Sequence, residues 1–320
     1  MMPQEKQQAF NGELVVSAAP HRRHWLSVSR MMYITLLALL LPTAAAVYFF
    51  GYYALSVIAV GIASALVTEY LVKKLRGQTF VMDGSAVVTG LLLALMLPPT
   101  MPLWMVALGA VIAIAIVKEA FGGLGHYIFN PVLGGVAFLY ACFPAEMTTW
   151  VEPMGFSFEK TAAAAPLSQA FIEQFDKTAM LIGNTSGGLG ETSALLILIA
   201  GIILIALRII DWRVPAAYIG TTFFFSLILG ADPVFYILTG GLMLGAFFLA
   251  TDTVTTPLTR RGRIIFGIGG GLLLVLIRRY GSMPDGVVYS ILLMNAVTPL
   301  IDRFVKPKPY GFKKAVKSDA

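Results

Sequence analysis

Gly90-Leu-Leu-Leu-Ala-Leu-Met-Leu-Pro-Pro-Thr-Met-Pro102-Leu103 and Gly245-Ala-Phe-Phe-Leu-Ala-Thr-Asp-Thr-Val-Thr-Thr-Pro257-Leu258 can be laid over each other without a gap. Gly90 meets Gly245, Thr100 meets Thr255, Pro102 meets Pro257 and Leu103 meets Leu258. Each copy runs on into an apolar helix, a basic residue (Lys118; Arg278) and a glycine turn. Each then ends in an apolar helix with an asparagine near a proline (Asn130-Pro131; Asn295 and Pro299). An odd number of crossings per half turns the second copy over relative to the first and puts Lys118 and Arg278 on opposite faces. Inverted repeats with interrupted helices form a transporter-like architecture whose sites lie where the halves meet.

Around this pair the composition fixes the solvent. The 320 residues are 58% hydrophobic and 12% charged, with a mean hydropathy of +0.80, whereas a soluble domain carries about a quarter charged residues. This excludes a secreted enzyme, a nucleic-acid binder and a disordered linker; lipid is the expected surroundings. The net charge of +6 falls mainly in the tails and one class of loop, where it reports orientation. Cys142 is the single cysteine, so an internal disulfide framework and a cysteine-ligated iron–sulfur cluster within this chain are excluded. His21, His24 and His126 form no metal set by their spacing.

The expected fold is an all-α polytopic membrane protein of about ten transmembrane helices in two inverted five-helix repeats with broken or short helices. Residues 1–30 read as a cytoplasmic N-terminal segment without the apolar core and cleavage site of a signal peptide. Residues 31–143 form the first repeat, with crossings at 31–50, 52–72, 83–97, 103–117 and 129–143. The third is only about 15 residues, or about 22 Å of helix against a core of about 30 Å, and it stops at Pro98-Pro99. Residues 144–184 are an exterior loop bearing Glu146, Glu152, Glu159, Glu173 and Asp176. The second repeat, 185–302, contributes crossings at 193–207, 214–229, 234–250, 264–277 and 287–300, and 303–320 is a basic cytoplasmic tail. The Lys73-Lys74-Arg76, Arg208-Arg213 and Arg260-Arg263 loops then share one side, which puts both termini in the cytoplasm. Arg278 and Arg279 fall on the other side, either snorkelling to lipid phosphates or serving a purpose of their own.

Two groups of residues carry candidate chemistry. The run Gly183-Asn-Thr-Ser-Gly-Gly-Leu-Gly-Glu-Thr-Ser193 leads into a helix. Gly187, Gly188 and Gly190 can aim backbone N–H groups at a phosphate or ring carbonyl, with Glu191, Thr192 and Ser193 at the helix start. The same residues also read as an ordinary turn and N-cap. Asp83, Ser85 and Thr89, and Thr251, Asp252 and Thr253 in the other copy, put polar groups at membrane depth beside Asn130 and Asn295. There they line a polar or ion pathway or cap broken helices. Glu69 has a nearer explanation in Lys73, one turn on. No nucleophile–base–acid set occurs, so a complete active site is not expected on this chain.

The order of these motifs resembles the Rnf D subunits, membrane subunits of ion-translocating ferredoxin:NAD oxidoreductases, and more distantly the B subunits of sodium-pumping NADH:quinone reductases. The resemblance covers nearly the whole chain. It rests on Val16-Ser-Ala-Ala-Pro-His-Arg22, Asp83-Gly-Ser-Ala-Val-Val-Thr-Gly-Leu-Leu-Leu-Ala94 with Leu97-Pro-Pro99, and Gly122-Gly-Leu-Gly125 with Phe129-Asn-Pro131. Thr251-Asp-Thr-Val-Thr255, Gly262-Arg263, Arg278-Arg-Tyr-Gly281, Pro284-Asp-Gly286 and Pro299-Leu-Ile-Asp302 continue it. It implies two inverted five-helix halves in the prokaryotic cytoplasmic membrane, inside a six-subunit redox complex. It also implies a flavin-bearing electron carrier that couples ferredoxin/NAD electron transfer to ion movement, with membrane lipid and the other subunits as partners and no nucleic acid.

One departure bears on the flavin. The family esterifies FMN phosphate to a threonine in an exterior Ser/Thr-x-Ala-Thr-Pro-Leu motif, and this chain reads Thr161-Ala-Ala-Ala-Ala165-Pro166-Leu167. Ala165 stands at the acceptor position without a hydroxyl, and Thr161 lies outside the motif. The expected cofactor is therefore FMN held without a covalent bond near Pro166 and the Gly187–Ser193 turn, or riboflavin. The alternative is a flavin-free channel, transporter or scaffold subunit.

Overall fold

The computed structural model describes residues 26–153, 176–191, 193–239, 241–281 and 286–306, which are mostly helical and contain no strand. Thr161, Ala165, Pro166, Thr192, the Val16–Arg22 motif, Glu159, Glu173, Pro284 and Asp285 lie outside the described residues. Two helices are long and apolar enough to cross a membrane by length and composition, α1 (Val28–Leu75) and α12 (Gly286–Phe304).

The 48 residues of α1 would make a straight rod about 72 Å long, yet its two ends share one neighbour. Tyr33 Oη donates to the carbonyl of Met82 at 3.4 Å, and Lys118 Nζ bridges Glu69 and Ser85. The chain therefore doubles back inside α1. It does so at Gly51, whose φ of 58° and ψ of −133° break the helix where two separate spans, 31–50 and 52–72, were expected. Only glycine takes such a backbone conformation without strain.

The helix α2 (Ser85–Met96) packs against the second arm of α1 so closely that a Cβ on Gly90 would fall 2.5 Å from the Gly61 carbonyl oxygen. Contact of this kind between small residues is how helices associate without a hydrophobic driving force. Next, α3 (Leu103–Val111) passes without interruption into a π-helical segment, Ile112–Glu119, whose wider turns are marked by Ala120 N–H bonding to Ala115 O. The helix α4 (Pro131–Cys142) starts from the cap of Asn130. It is followed by α5 (Pro144–Met147) and, past the undescribed stretch, α6 (Lys177–Ile182).

The remaining part of the chain contains α7 (Ala194–Ala206), α8 (Arg213–Ile228), α9 (Pro233–Leu238) and α10 (Leu242–Leu244), the last continuing as a second π-helical segment, Gly245–Leu249. The final pair is α11 (Arg260–Tyr280) and α12. The segment expected as one span, 234–250, is thus divided between α9, which ends at Leu238, and α10, which starts at Leu242. Its π turn is closed by Ala250 N–H on Gly245 O at 2.7 Å.

Candidate functional site

A cavity with largely apolar walls and a cluster of polar side chains lies where the broken helices of the two parts of the chain meet. Its walls include Thr89, Lys118, Tyr127, Asn130, Phe247 and Asp252. Residues singled out in the sequence converge there: Ser85, Thr89, Asn130, Thr251, Asp252 and Thr253 line it, and Asn295 bonds to Asn130. Asp83 reaches it through Ser85.

Asn130 is the keystone of the junction. Its Oδ1 accepts from the N–H groups of Val132 and Leu133, so it caps α4, and Pro131 at the first helical position gives up no hydrogen bond. Its Nδ2 donates to the Leu249 carbonyl at the end of the second π segment, and its own backbone N–H donates to Asn295 Oδ1 at 3.1 Å. Asn295 sits within α12, not at a helix start as Asn130 does, and its buried Nδ2 has no partner among the described residues. The helix start of α4 and the helix end at Leu249 therefore meet through side-chain amides, with non-helical backbone enclosed by protein as membrane depth requires.

Asp252 follows the second π segment. Its Oδ1 accepts from Tyr127 Oη at 3.2 Å and its Oδ2 from Thr255 Oγ1 at 3.3 Å, and no Lys or Arg lies within ion-pair distance among the described residues. Thr255 is tied in turn to α12 through its carbonyl, which accepts from Thr298 Oγ1.

Lys118 supplies the opposite charge. Its side chain is 1% exposed, and its Nζ donates to Glu69 Oε1 at 2.8 Å and to Ser85 Oγ at 2.6 Å. Lys73 bonds to the same Glu69 oxygen at 2.9 Å. The pairing of Glu69 with Lys73 expected from their spacing is present, but Glu69 also holds a buried cation from another helix. Asp83 Oδ1 accepts from the N–H and Oγ of Ser85 and so caps α2, while Thr89 Oγ1 turns back to the Ser85 carbonyl. For Asp83 the hydrogen bonds fit the capping alternative, whereas Thr89 lies inside α2, makes a back-bond within the helix and lines the cavity.

Three successive donors of the glycine run are bonded within the chain. Leu189 N–H donates to Leu97 O at 3.0 Å and Gly190 N–H to Leu95 O at 2.7 Å, while Gly188 N–H is taken by Glu191 Oε2. Leu95 and Leu97 are the carbonyls that α2 leaves without helical partners when Pro98-Pro99 stops it. Of the backbone donors at Gly187, Gly188 and Gly190, those of Gly188 and Gly190 are thus spent within the chain. Ser193 Oγ accepts from Leu196 N–H as an ordinary N-cap of α7.

Arg278 is likewise not turned out to lipid. Its guanidinium donates to the carbonyls of Tyr236 and Thr239, at the end of α9, and stacks over the Tyr236 ring. Lys118 and Arg278 therefore do similar work, Lys118 reaching to Ser85 at the start of α2 and Arg278 to the Thr239 carbonyl just past the end of α9. The sequence reading missed Tyr127 and the inward direction of Lys118. A tyrosine flanked by glycines and His126 reads as an interfacial anchor, and an α-helical register places Lys118 at a helix end facing water.

Comparison with known proteins gives the geometry its context. Residues 15–311 match the family described as NQR2, RnfD, RnfE. The chain is 44% identical over 319 residues to the D subunit of the proton-translocating ferredoxin:NAD(+) oxidoreductase complex of Clostridium ljungdahlii, covering 93% of this chain and 96% of that protein. It is 44% identical over 309 residues to the D subunit of the Na(+)-translocating ferredoxin:NAD(+) oxidoreductase complex of Acetobacterium woodii, with 95% and 97% covered. The D subunit of the ion-translocating oxidoreductase complex of Methanosarcina acetivorans is 38% identical over 298 residues, with 92% and 96% covered. With nearly the whole length matched, and with the motifs that build the cavity inside that match, this chain belongs to the NQR2, RnfD, RnfE family.

Proposed function

We propose that this chain is the membrane D subunit of an ion-translocating ferredoxin:NAD(+) oxidoreductase complex and that the cavity beside Asp252 lies on its ion path. The family and the names of its relatives support the first part. The observation that carries the second is a carboxylate kept at the junction of broken helices and held there by hydroxyl and backbone N–H donors without an ion-pair partner among the described residues. A charge so placed in a membrane protein is costly, and its retention argues for a mobile counter-ion. Relatives of equal identity are named for different ions, so overall similarity does not choose between proton and sodium.

The helices read as ten crossings in two inverted five-helix halves, with both termini on the side of the basic loops in the cytoplasmic membrane. The similar roles of Lys118 and Arg278 support this repeat. Cysteines placed near Glu173 and Arg261 test the orientation: an impermeant thiol reagent added to intact cells is expected to reach the first and not the second.

In the glycine run the donors at 188–190 are committed to helix α2 and to Glu191, so a flavin phosphate would have to be held by other groups. FMN or riboflavin in the assembly would contact this subunit without a bond at Ala165, and acid extraction with flavin counted per subunit tests that part separately.

The decisive experiment uses the complete complex in sealed vesicles, with ferredoxin-driven NAD reduction and ion uptake followed together. Asp252→Asn is expected to lower the ions moved per electron severalfold while the complex assembles. An unchanged ratio would remove Asp252 from the path.

A further inference from the structure

A second cavity opens on the surface of the chain. It is a groove of about 430 Å³ along α8, lined on that helix by Trp212, Ala216, Gly220 and Phe223, with Ile205 of α7 and Ile237 of α9 on its walls. The α8 residues recur every four or three positions and so mark one helix face. The groove follows from the division of the chain between α9 and α10. Helix α9 packs on α8 but stops at Leu238, and the next piece, Leu242–Leu249, is buried throughout. The flank of α8 short of α9 is left open, so that a Cβ on Gly220 would meet nothing within 4 Å.

The lining is apolar, and its one polar atom is the indole nitrogen of Trp212. Trp212 is exposed and stands where α7 has ended and α8 begins, as indoles do at a membrane–water boundary. From Trp212 to Phe223 the groove follows α8 for about 16 Å. That is one leaflet of a hydrocarbon core about 30 Å thick. An acyl chain reaches that deep, whereas a neighbouring transmembrane helix would run on through both leaflets.

The mouth of the groove carries an arginine that the backbone does not call for. Helix α7 ends in a Schellman turn, in which Arg208 N–H donates to Ile205 O at 2.9 Å and Ile209 N–H to Leu204 O at 3.0 Å. Arg208 takes the left-handed position of that turn with a φ of 57°, and no other non-glycine residue among those described has a positive φ. Glycine would close the turn without steric cost. Arg213, the other arginine of this loop, is paired with Asp211 and stacked on the Trp212 ring. Arg208 is exposed, and its side chain makes no hydrogen bond or ion pair among the described residues.

We propose that this groove is a binding site for one anionic phospholipid, with an acyl chain along α8 from Trp212 to Phe223 and the headgroup phosphate on Arg208. Charge complementarity selects the headgroup, because a guanidinium matches a phosphodiester through paired N–H donors. The apolar lining and its depth select a single chain of one leaflet. The site is independent of Asp252 and of the ion path.

The test uses the complete complex in phosphatidylcholine vesicles containing a trace of phosphatidylglycerol whose acyl chain carries a diazirine. After irradiation, labelled peptides of this subunit are mapped by mass spectrometry. Label is expected on α8 around Gly220, and unlabelled phosphatidylglycerol is expected to suppress it more than the same amount of unlabelled phosphatidylethanolamine. Arg208→Gln is expected to lower the label roughly fivefold, the worth of one basic residue beside an anionic lipid, and Arg208→Lys to keep most of it. Gly220→Phe fills the slot and is expected to remove the label with the charge left in place. No label on α8 in the unaltered complex overturns the proposal, as when a helix of another subunit covers Ala216 and Gly220. Label that Arg208→Gln leaves unchanged also overturns it and marks ordinary boundary lipid. Should Arg208→Gln not assemble, competition in the unaltered complex decides alone, with equal suppression by the two unlabelled lipids overturning the proposal.

Discussion

Asn130 and Asn295 are 165 residues apart in the chain and hydrogen-bonded to each other, the backbone N–H of the first donating to the side-chain oxygen of the second at 3.1 Å. The bond ties a helix start to the middle of another helix. Asn130→Ala removes the cap on Val132 and Leu133 and the donor to Leu249 O together, and is expected to cost about 2–3 kcal/mol. Asn295→Ala strands the Asn130 N–H and is expected to cost about 1–2 kcal/mol. Thermal unfolding in detergent checks both. The double variant should lose less than the two costs added, because the pair shares one network.

Much of this junction was legible, and for a physical reason. A polar side chain inside an apolar run is conspicuous where lipid is the solvent, so Asp83, Thr89, Asn130, Asp252 and Asn295 stood out before any geometry was known. Gly51 was legible in the same way, as the gap between two apolar spans. Register was not. The π segment at Ile112–Glu119 turns Lys118 inward by a change that leaves no periodic signature in the residues themselves. The partner of the glycine run is foreshadowed by its counterpart: Pro98-Pro99 must leave carbonyls of α2 unpaired, and the N–H groups of Leu189 and Gly190 satisfy two of them.

Close packing gives a second prediction. At Gly90 a Cβ would lie 2.5 Å from the Gly61 oxygen and 2.9 Å from the Ile62 Cα, both backbone atoms that no side-chain motion can clear. Gly90→Ala is expected to lower stability by about 2–3 kcal/mol, in the range of overpacked cores. Gly220, in the interior of α8, has nothing within 4 Å of its would-be Cβ. There the same substitution should be neutral or gain up to about 1 kcal/mol from helix propensity. Equal losses at the two sites would mean that α1 and α2 do not cross this closely.

Asp211 predicts a pH dependence. It lies in the loop between α7 and α8 and accepts from Arg263 Nη1 at 2.6 Å, from Arg213 Nη1 and from the Arg213 backbone N–H. Burial pushes its carboxyl up, but these hydrogen bonds and the two guanidinium charges outweigh burial and hold it below the usual carboxylate range. A depressed value stabilises the fold above the unfolded carboxylate value of about 4, and that contribution is lost as pH falls through the lower folded value. Asp211→Asn should therefore lower the Tm near pH 7. The gap to the wild type should close under acid, and a gap independent of pH would mean that charge is not what Asp211 contributes.

Ala165 makes a prediction about attachment. A side chain without a hydroxyl cannot form a phosphoester, so the denatured polypeptide is expected to run on a gel without flavin fluorescence. Ala165→Thr, co-expressed with a flavin transferase, is expected to fluoresce. A fluorescent band from the unaltered chain would move the acceptor to another hydroxyl, such as that of Thr161.

Asp83 separates capping from charge. Its Oδ1 accepts from Ser85 N–H at 2.9 Å and Ser85 Oγ at 2.6 Å, and the same Oγ accepts from Lys118. An asparagine oxygen can accept both bonds, so Asp83→Asn keeps the cap and loses only the negative charge, whereas Asp83→Ala loses both. Stability should divide them: Asn within about 0.5 kcal/mol of the wild type and Ala about 1–2 kcal/mol below it. Thermal unfolding in detergent checks both, and equal losses in the two variants would mean that the charge of Asp83, not its hydrogen bonds to Ser85, is what it contributes.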